Sequence, residues 1–158
     1  MEKWQKIAAL LVLLAVAFVL LRGFPSNVLI PSGPVVGSFS FAKFVDENMN
    51  YIASDGTFRK SENLYFIMQL SNLTVKNGQV FYRVDAEVTD SSGAKTFSDA
   101  IIEDNTRVES SGGRITVAGG INMLRFGSIG SNILKIKVTD KFSNKETVLE
   151  RNFSVVND

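Results

Sequence analysis

The chain begins with a continuous apolar run. The stretch from Ile7 to Leu21 contains no charged or polar side chain, no Gly and no Pro, and it lies between Lys6 and Arg22. As a helix this run would be about 22 Å long, so it can cross a hydrocarbon core about 30 Å thick only if flanking residues lengthen it. We therefore expect residues 7–24 to form a signal anchor, a single transmembrane helix in contact with the lipid bilayer.

The charges on either side of this run predict its orientation. Lys3, Lys6 and the N-terminal amine outnumber Glu2 in residues 1–6, whereas Arg22 stands alone after the run. By the positive-inside rule, residues 1–6 form a cytoplasmic n-region and the remaining chain is extracytoplasmic, either periplasmic or at the cell surface.

Signal-peptide cleavage is the alternative to an anchor. A signal peptide needs a cleavage site of the small-x-small type after its apolar region. The matching residues are Ala15-Val16-Ala17, which lie inside the run, and cleavage there would release a secreted protein that begins at Phe18.

All three prolines of the chain follow the apolar run. Pro25, Pro31 and Pro34 alternate with Ser, Asn and Gly. Proline-biased segments stay extended, so residues 25–36 are expected to be a tether. Residues 37–158 are then the right length for one extracytoplasmic domain.

The composition of that domain excludes several functions. Basic and acidic residues are nearly balanced, so the concentrated basic face that nucleic acid requires is not expected. The chain has no Cys and no His, which excludes disulfides, Ser-His-Asp and Cys-His catalysis and the commonest zinc ligands. We expect no enzymatic activity, no catalytic residue and no cofactor.

Alternating hydrophobicity predicts strands after Gly37. The clearest case is Val80 to Thr89, where apolar residues alternate with polar or aromatic ones. The stretch Asn63 to Ser71 is apolar on both faces, which predicts a central strand. The turns Ser54-Asp55-Gly56 and Lys76-Asn77-Gly78 precede these strands. No stretch of this part has a sustained helical period.

Two strands end in the same three residues. Val88-Thr89-Asp90 and Val138-Thr139-Asp140 each lead into a polar turn, and an Asp at a strand exit can accept hydrogen bonds from the following N–H groups. We interpret them as two hairpins. The outward-facing side chains of the two strands have opposite charge. The first strand has Asp85 and Glu87, and the second has Lys135 and Lys137, so we predict that the two strands are neighbours in the sheet.

The segment from Ile101 to Gly130 is less regular. It predicts short strands at Thr106 to Val108, Arg114 to Val117 and Met123 to Phe126, with a crossover between two sheets. Gly119-Gly120 is expected to serve a turn. The predicted fold is therefore all-β, an antiparallel β-sandwich of about seven to nine strands, preceded by one N-terminal transmembrane helix.

From Glu62 to Val155 this layout resembles immunoglobulin-like β-sandwich domains, with an aromatic central strand, two hairpins that follow an Asp, and a final Phe153-Ser154-Val155 strand. The Cys-Trp-Cys core of antibody domains is absent. One membrane helix followed by a single sandwich is also similar in order and size to the archaellum-associated stator protein. That resemblance implies a membrane-anchored domain that grips an envelope component.

Carboxylates are the plentiful chemical groups of the domain. Calcium takes such oxygens from loops, so the weak calcium candidates are two sets: Asp90 with Asp140, and Asp99 with Glu103 and Asp104. No Asp-x-Asp-x-Asp spacing supports either set, and turn capping is the favoured role. No metal site is therefore predicted.

Two further groups of residues are candidate sites. Asn72-Leu73-Thr74 and Asn152-Phe153-Ser154 fit the N-glycosylation pattern, so Asn72 and Asn152 are candidate acceptors. Phe81, Met123 and Phe126 either form a partner-binding patch or pack into the second sheet.

These observations predict a non-enzymatic, membrane-anchored, extracytoplasmic β-sandwich that binds a protein partner or an envelope polymer, as an accessory subunit of a membrane or cell-surface assembly. Anchoring favours such a role because it raises the effective concentration of the domain near other membrane components. The alternative is a secreted carbohydrate- or calcium-binding module released by signal-peptide cleavage.

Overall fold

The computed structural model describes residues 33–108 and 113–158. The expected n-region 1–6, the anchor 7–24 and most of the tether 25–36 lie outside the described residues. Within the described ranges, no helix is long and apolar enough to cross a membrane.

The described residues form nine strands and one helical turn. In chain order these are β1 (Val35–Val45), β2 (Tyr51–Ala53), β3 (Thr57–Arg59), β4 (Asn63–Ser71), β5 (Gln79–Asp90), β6 (Lys95–Arg107), β7 (Ile115–Asn122), α1 (Met123–Phe126), β8 (Gly130–Asp140) and β9 (Lys145–Val156). The strands build two sheets, one in the order β2-β1-β4-β7 and the other in the order β3-β9-β8-β5-β6. The all-β prediction and the two-sheet prediction are confirmed.

The core lies between the inner faces of the two sheets. Leu64, Phe66 and Met68 of β4 point into it. The residues of β5 and β8 that were predicted to face inward also point into it. These residues are Val80, Tyr82, Val84, Ala86 and Val88 on β5, and Leu134, Ile136 and Val138 on β8. Because a strand turns successive side chains to opposite faces, the same strands present their charged residues to solvent.

Several sequence predictions are confirmed in detail. β4 has the predicted bounds and pairs with β1 and β7, so it is an inner strand. The hairpin turn before β5 has positive φ at Asn77 and Gly78, as a tight two-residue turn requires. β5 pairs with β8, which sets Asp85 opposite Lys137 and Glu87 opposite Lys135.

Other parts differ from the prediction. β1 begins at Val35, two residues before the expected domain boundary at residue 37. β3 pairs with β9 in parallel, so the sandwich is not purely antiparallel. Residues Met123 to Phe126 form a helical turn and not a strand, and the chain from Ile101 to Arg107 continues the long strand β6.

The expected turn at Gly119-Gly120 is also wrong, because both glycines lie inside β7. A Cβ atom at Gly119 would lie 2.4 Å from Cζ of Phe66, and one at Gly120 would lie 2.9 Å from the Tyr65 ring. The aromatic side chains of β4 therefore require glycine at these positions. Hydrophobic periodicity carries no signal for such a close approach.

Candidate functional site

A groove runs along the outer face of the five-stranded sheet. Its volume is about 690 Å³. Charged residues from β5, β8 and β9 dominate its lining, and they are Arg83, Asp85, Glu87, Lys135, Lys137 and Glu146. We call this surface the outer groove.

The charge pattern of the outer groove follows from the alternation of buried and outward-facing residues in the sequence. Asp85 and Glu87 lie on β5, Lys135 and Lys137 on β8, and all four alternate with buried residues. The middle strand β8 therefore carries cations, and its neighbours carry anions on both sides. This arrangement gives a surface with dense hydrogen-bonding groups and little net charge.

Ion pairs link these rows across the sheet. Lys137 Nζ lies 3.3 Å from Glu146 Oε1, and Lys135 Nζ lies 3.8 Å from Glu150 Oε1. Although Asp85 and Lys137 are directly opposite, the close partner of Asp85 is Arg83, at 2.8 Å. The prediction that the two strands are neighbours is confirmed, but the cations of β8 pair with β9.

Arg83 connects β5 to the edge strand β6. Besides Asp85, its guanidinium lies 3.5 Å from Glu103 on β6. The hydrogen bond to Asp85 and the charges of Asp85, Glu103 and Asp99 raise the pKa of Arg83. Arg83 thus stays cationic at one end of the outer groove and is held there by acceptors on two strands.

A bulge brings further residues of β6 to the outer groove. The register between β5 and β6 shifts between Val84 and Asp85, and beyond that shift Ser98, Asp99 and Ala100 contribute to the lining. A bulge adds one residue to one strand and changes the direction of the side chains that follow. Strict alternation cannot reveal it, so the sequence did not predict that Ser98 and Ala100 belong to this site.

Phe81 lies next to the outer groove, on the same strand face as Arg83. Its carbonyl oxygen accepts a hydrogen bond of 2.8 Å from the N–H of Lys141, which also lines the groove. The Phe81 ring packs edge-on against Phe142 with 6.1 Å between centroids, and Lys76 Nζ lies 5.0 Å from the Phe142 centroid. Phe81 is therefore a half-buried aromatic residue beside the candidate site.

The other two residues of the predicted partner-binding patch lie elsewhere. Met123 is completely buried, so its assignment to a partner-binding surface is wrong, and packing into the sandwich is correct. Phe126 packs against Phe97 of β6 with 4.9 Å between ring centroids and is only partly exposed. The physical reason is the helical turn of Met123 to Phe126, which directs both side chains toward the protein.

The first calcium set is not brought together. β5 and β8 are antiparallel, and Asp140 lies opposite Tyr82 whereas Asp90 lies opposite Asn132. The two carboxylates are thus eight residues apart along the strand pair, a separation of about 27 Å. They cannot bind one ion, and the structure corrects this suggestion.

The second calcium set is also dispersed. Glu103 and Asp104 are consecutive residues of β6, so their side chains leave opposite faces of the strand. Glu103 contacts Arg83, and Asp104 accepts hydrogen bonds from the Asn105 N–H and the Thr106 hydroxyl. Within the described ranges, no group of three or more acidic residues is arranged to hold a metal ion.

Both candidate glycosylation sites are exposed. Asn72 follows β4 with a positive φ of 60°, and its side-chain amide donates a hydrogen bond of 2.7 Å to the carbonyl of Gly33. Asn152 lies in β9 opposite Ile133. Glycosylation of either residue stays a prediction, and a glycan on Asn72 would have to displace the contact with Gly33.

Comparisons with known proteins identify the fold and no family. No protein-family model matches the sequence, and no curated protein is significantly similar to it. Among solved structures, the chain is similar to the C-terminal domain of wzt, with a TM-score of 0.53, 8% identity, and coverage of 80% of this chain and 75% of that one.

Two enzymes contain a more distantly similar region. A family 123 glycoside hydrolase from Clostridium perfringens gives a TM-score of 0.47 at 10% identity, and a β-glucosidase from intestinal bacteria gives 0.47 at 16% identity. The matches include 77% and 78% of this chain, but only 27% of the glycoside hydrolase and 16% of the β-glucosidase. The comparison with the domain of wzt supports a β-sandwich, and the comparisons go no further.

Proposed function

We propose that this protein is a non-enzymatic, membrane-anchored, immunoglobulin-like β-sandwich that binds a hydroxyl-rich polymer of the cell envelope in its outer groove. Residues 7–24 anchor it with the N-terminus in the cytoplasm, and residues 25–36 tether the domain outside. In this role it acts as an accessory subunit of a membrane or cell-surface assembly.

The observation that carries the proposal is the chemistry of the outer groove. Its cations are hydrogen-bond donors and its anions are acceptors, and they alternate across three strands. A sugar hydroxyl both donates and accepts, so a polysaccharide can bond to both rows at once. A nucleic acid or other polyanion would gain little, because the anionic rows offset the cations.

The ion pairs of the outer groove are weak enough to exchange partners. The side chains of Lys137 and Glu146 are 42% and 49% exposed, and exposed pairs of this kind contribute about 0 to 1 kcal/mol. A ligand hydroxyl that replaces one partner therefore meets little resistance. The sheet holds the backbone of these residues in place, so binding requires only side-chain adjustment.

Binding of envelope polysaccharide by the full-length protein in detergent micelles tests this function. Neutral and acidic polysaccharide fractions of the source cells are titrated by calorimetry at low and high salt. We expect binding of the neutral fraction with little salt dependence, since no net charge drives it. If neither fraction binds, or if binding requires low salt and an acidic polymer, the proposal is wrong.

Single substitutions locate the binding surface. Lys137→Ala and Asp85→Ala should each weaken binding about tenfold, which corresponds to the loss of one or two hydrogen bonds. Lys43→Ala is the matched control, because Lys43 is 47% exposed and lies in β1 of the other sheet. Equal loss of binding in all three variants would place the ligand elsewhere.

The anchored state and the secreted alternative differ in mass and in location. We expect the intact mass of the cellular protein to include residues 1–24 and an external protease to digest the domain in whole cells. A mature protein that begins near Phe18 would favour the secreted carbohydrate- or calcium-binding module. A domain protected from protease in whole cells would overturn both hypotheses.

A further inference from the structure

The hairpin of β1 and β2 gathers large apolar side chains at the surface. Phe44, Met49, Tyr51 and Ile52 are 51%, 42%, 45% and 63% exposed. All of them lie in or next to β2, which is an edge strand of the four-stranded sheet. An exposed edge strand presents unpaired backbone groups to any second strand.

The pairing with β1 determines which backbone groups of β2 have no partner among residues 33–108 and 113–158. The carbonyl oxygen of Asn50 accepts from the Asp46 N–H at 3.0 Å, and the Ser54 N–H donates to the Phe41 carbonyl at 2.9 Å. Since alternate residues of a strand direct their backbone groups to opposite sides, Asn50, Ile52 and Ser54 face β1. The N–H and C=O groups of Tyr51 and Ala53 consequently point outward from the sheet edge.

We propose that the free edge of β2 pairs with β2 of a second copy of this chain, in an antiparallel and two-fold symmetric arrangement centred on Ile52. Tyr51 of each copy then exchanges two backbone hydrogen bonds with Ala53 of the other. Ile52 faces itself across the axis as a non-hydrogen-bonded pair, with about 4.5 Å between the Cα atoms. The two four-stranded sheets become one continuous sheet of eight strands.

The distribution of charge around β2 favours self-pairing. The stretch from Met49 to Ser54 contains no charged residue. Antiparallel pairing of two copies over this stretch therefore sets no like charges opposite each other.

The apolar side chains also continue across the axis. Phe44 lies opposite Ile52 in the β1–β2 pair, so both side chains occupy one face of the sheet. Pairing of two copies produces the row Phe44, Ile52, Ile52 and Phe44 on that face. Contact between the two Ile52 side chains removes part of their apolar surface from solvent and stabilises the dimer.

The hairpin is held in shape before any partner arrives. Asp46 accepts hydrogen bonds of 2.9 Å from the N–H groups of Asn48 and Asn50 and from the Asn50 side chain. These bonds lower the pKa of Asp46 and fix the turn, in which Met49 has a φ of 62°. Little conformational entropy is therefore lost when the edge is paired.

Cysteine cross-linking of the full-length protein in detergent tests the proposal directly. The natural chain contains no Cys, so Ile52→Cys can form a disulfide only between copies. We expect a disulfide-linked dimer that forms at least about tenfold faster than with Val148→Cys, because pairing raises the local concentration of the thiols. Val148 is a suitable control, since it is 51% exposed and lies in the other sheet.

A mixture of two variants tests the register. Chains with Tyr51→Cys should cross-link to chains with Ala53→Cys about tenfold faster than either variant cross-links to itself, because only the mixed pair brings the Cα atoms within about 6 Å. The variant Ile52→Lys should sediment as a monomer, whereas Val148→Lys should leave the dimer intact.

Other outcomes overturn the proposal. Equal rates for Ile52→Cys and Val148→Cys, together with a monomeric mass of the natural protein, would exclude self-pairing. A cross-link from Ile52→Cys to a different protein, or protection of this cysteine by lipid vesicles in a monomeric protein, would assign the edge to another occupant. None of these results depends on a ligand in the outer groove.

Discussion

The turns of the two hairpins in the five-stranded sheet follow the same three residues, Val-Thr-Asp. The two Asp side chains nevertheless have different structural roles. β5 ends in Val88-Thr89-Asp90 and β8 ends in Val138-Thr139-Asp140, and each Asp accepts hydrogen bonds from the turn that follows. Asp90 accepts hydrogen bonds mainly from its own turn, where Ser92 and Ala94 donate to it, and a weaker one from the Ser128 side chain before β8. Asp140 is 1% exposed and reaches another part of the chain.

The second contact of Asp140 joins two loops. Its carboxylate accepts a hydrogen bond of 2.8 Å from the N–H of Thr74, which lies between β4 and β5. The Ser143 hydroxyl and the Phe142 N–H also donate to this carboxylate. The same local motif thus stabilises mainly its own turn in the first hairpin, whereas in the second it connects a hairpin to a crossover between the sheets.

Among the substitutions that test this comparison, Asp140→Ala is expected to lower the stability of the protein most. It leaves the donors of Thr74, Phe142 and Ser143 without their acceptor in a buried place, which should lower the free energy of unfolding by about 3 kcal/mol. Urea denaturation followed by circular dichroism measures the change. Asp140→Asn, which keeps one oxygen acceptor, should lose less, and an unchanged midpoint for Asp140→Ala would contradict the role of this contact.

Acid should act through the same carboxylate. Burial raises the pKa of Asp140, but hydrogen bonds from Thr74, Ser143 and Phe142 outweigh burial, so its pKa is lowered from the ordinary value of 3.8. The stabilisation is therefore complete above pH 3.8 and is lost as the pH falls through the lower pKa of the folded state. Between pH 5 and pH 2 the natural protein should lose more stability than Asp140→Asn does.

Asp90→Ala should have a smaller effect than Asp140→Ala, although the local sequence is the same. The Asp90 side chain is partly exposed, and its pKa is lowered mainly by the hydrogen bond from the Ser92 side chain. Water can replace the carboxylate at the donors of Ser92 and Ala94. Denaturation midpoints of both variants, measured side by side, test this order, and a larger loss for Asp90→Ala would reverse our interpretation of the two turns.

Lys137→Glu is expected to have the smallest effect. It places an acidic residue on β8, opposite Asp85 of β5 and beside Glu146 of β9. Like charges across a sheet cost about 0.5 kcal/mol each, so a small loss of stability that salt reduces is expected. Lys43→Glu, on the other sheet, is the control, and a salt-independent loss would point to a packing defect.

The sequence anticipated those parts of the fold that depend on local pattern. Alternation identified β4, β5 and β8, and the opposite charges of Asp85 and Lys137 predicted that β5 and β8 are neighbours. It did not anticipate the bulge that turns Ser98 into the outer groove, nor the helical turn that buries Met123. These features depend on how β6 and β7 fit against strands that are distant in sequence.

The sequence alone determined strands such as β4, β5 and β8 and the turn at Asn77-Gly78, because a two-residue period and a turn motif act over a few neighbouring residues. It also determined that Asp90 and Asp140 follow their strands. Only the tertiary structure decided that Asp140 would be buried and bonded to Thr74, since 66 residues separate the two. A hydrogen bond over that separation exists only after the two sheets have packed, so no local pattern of residues encodes it.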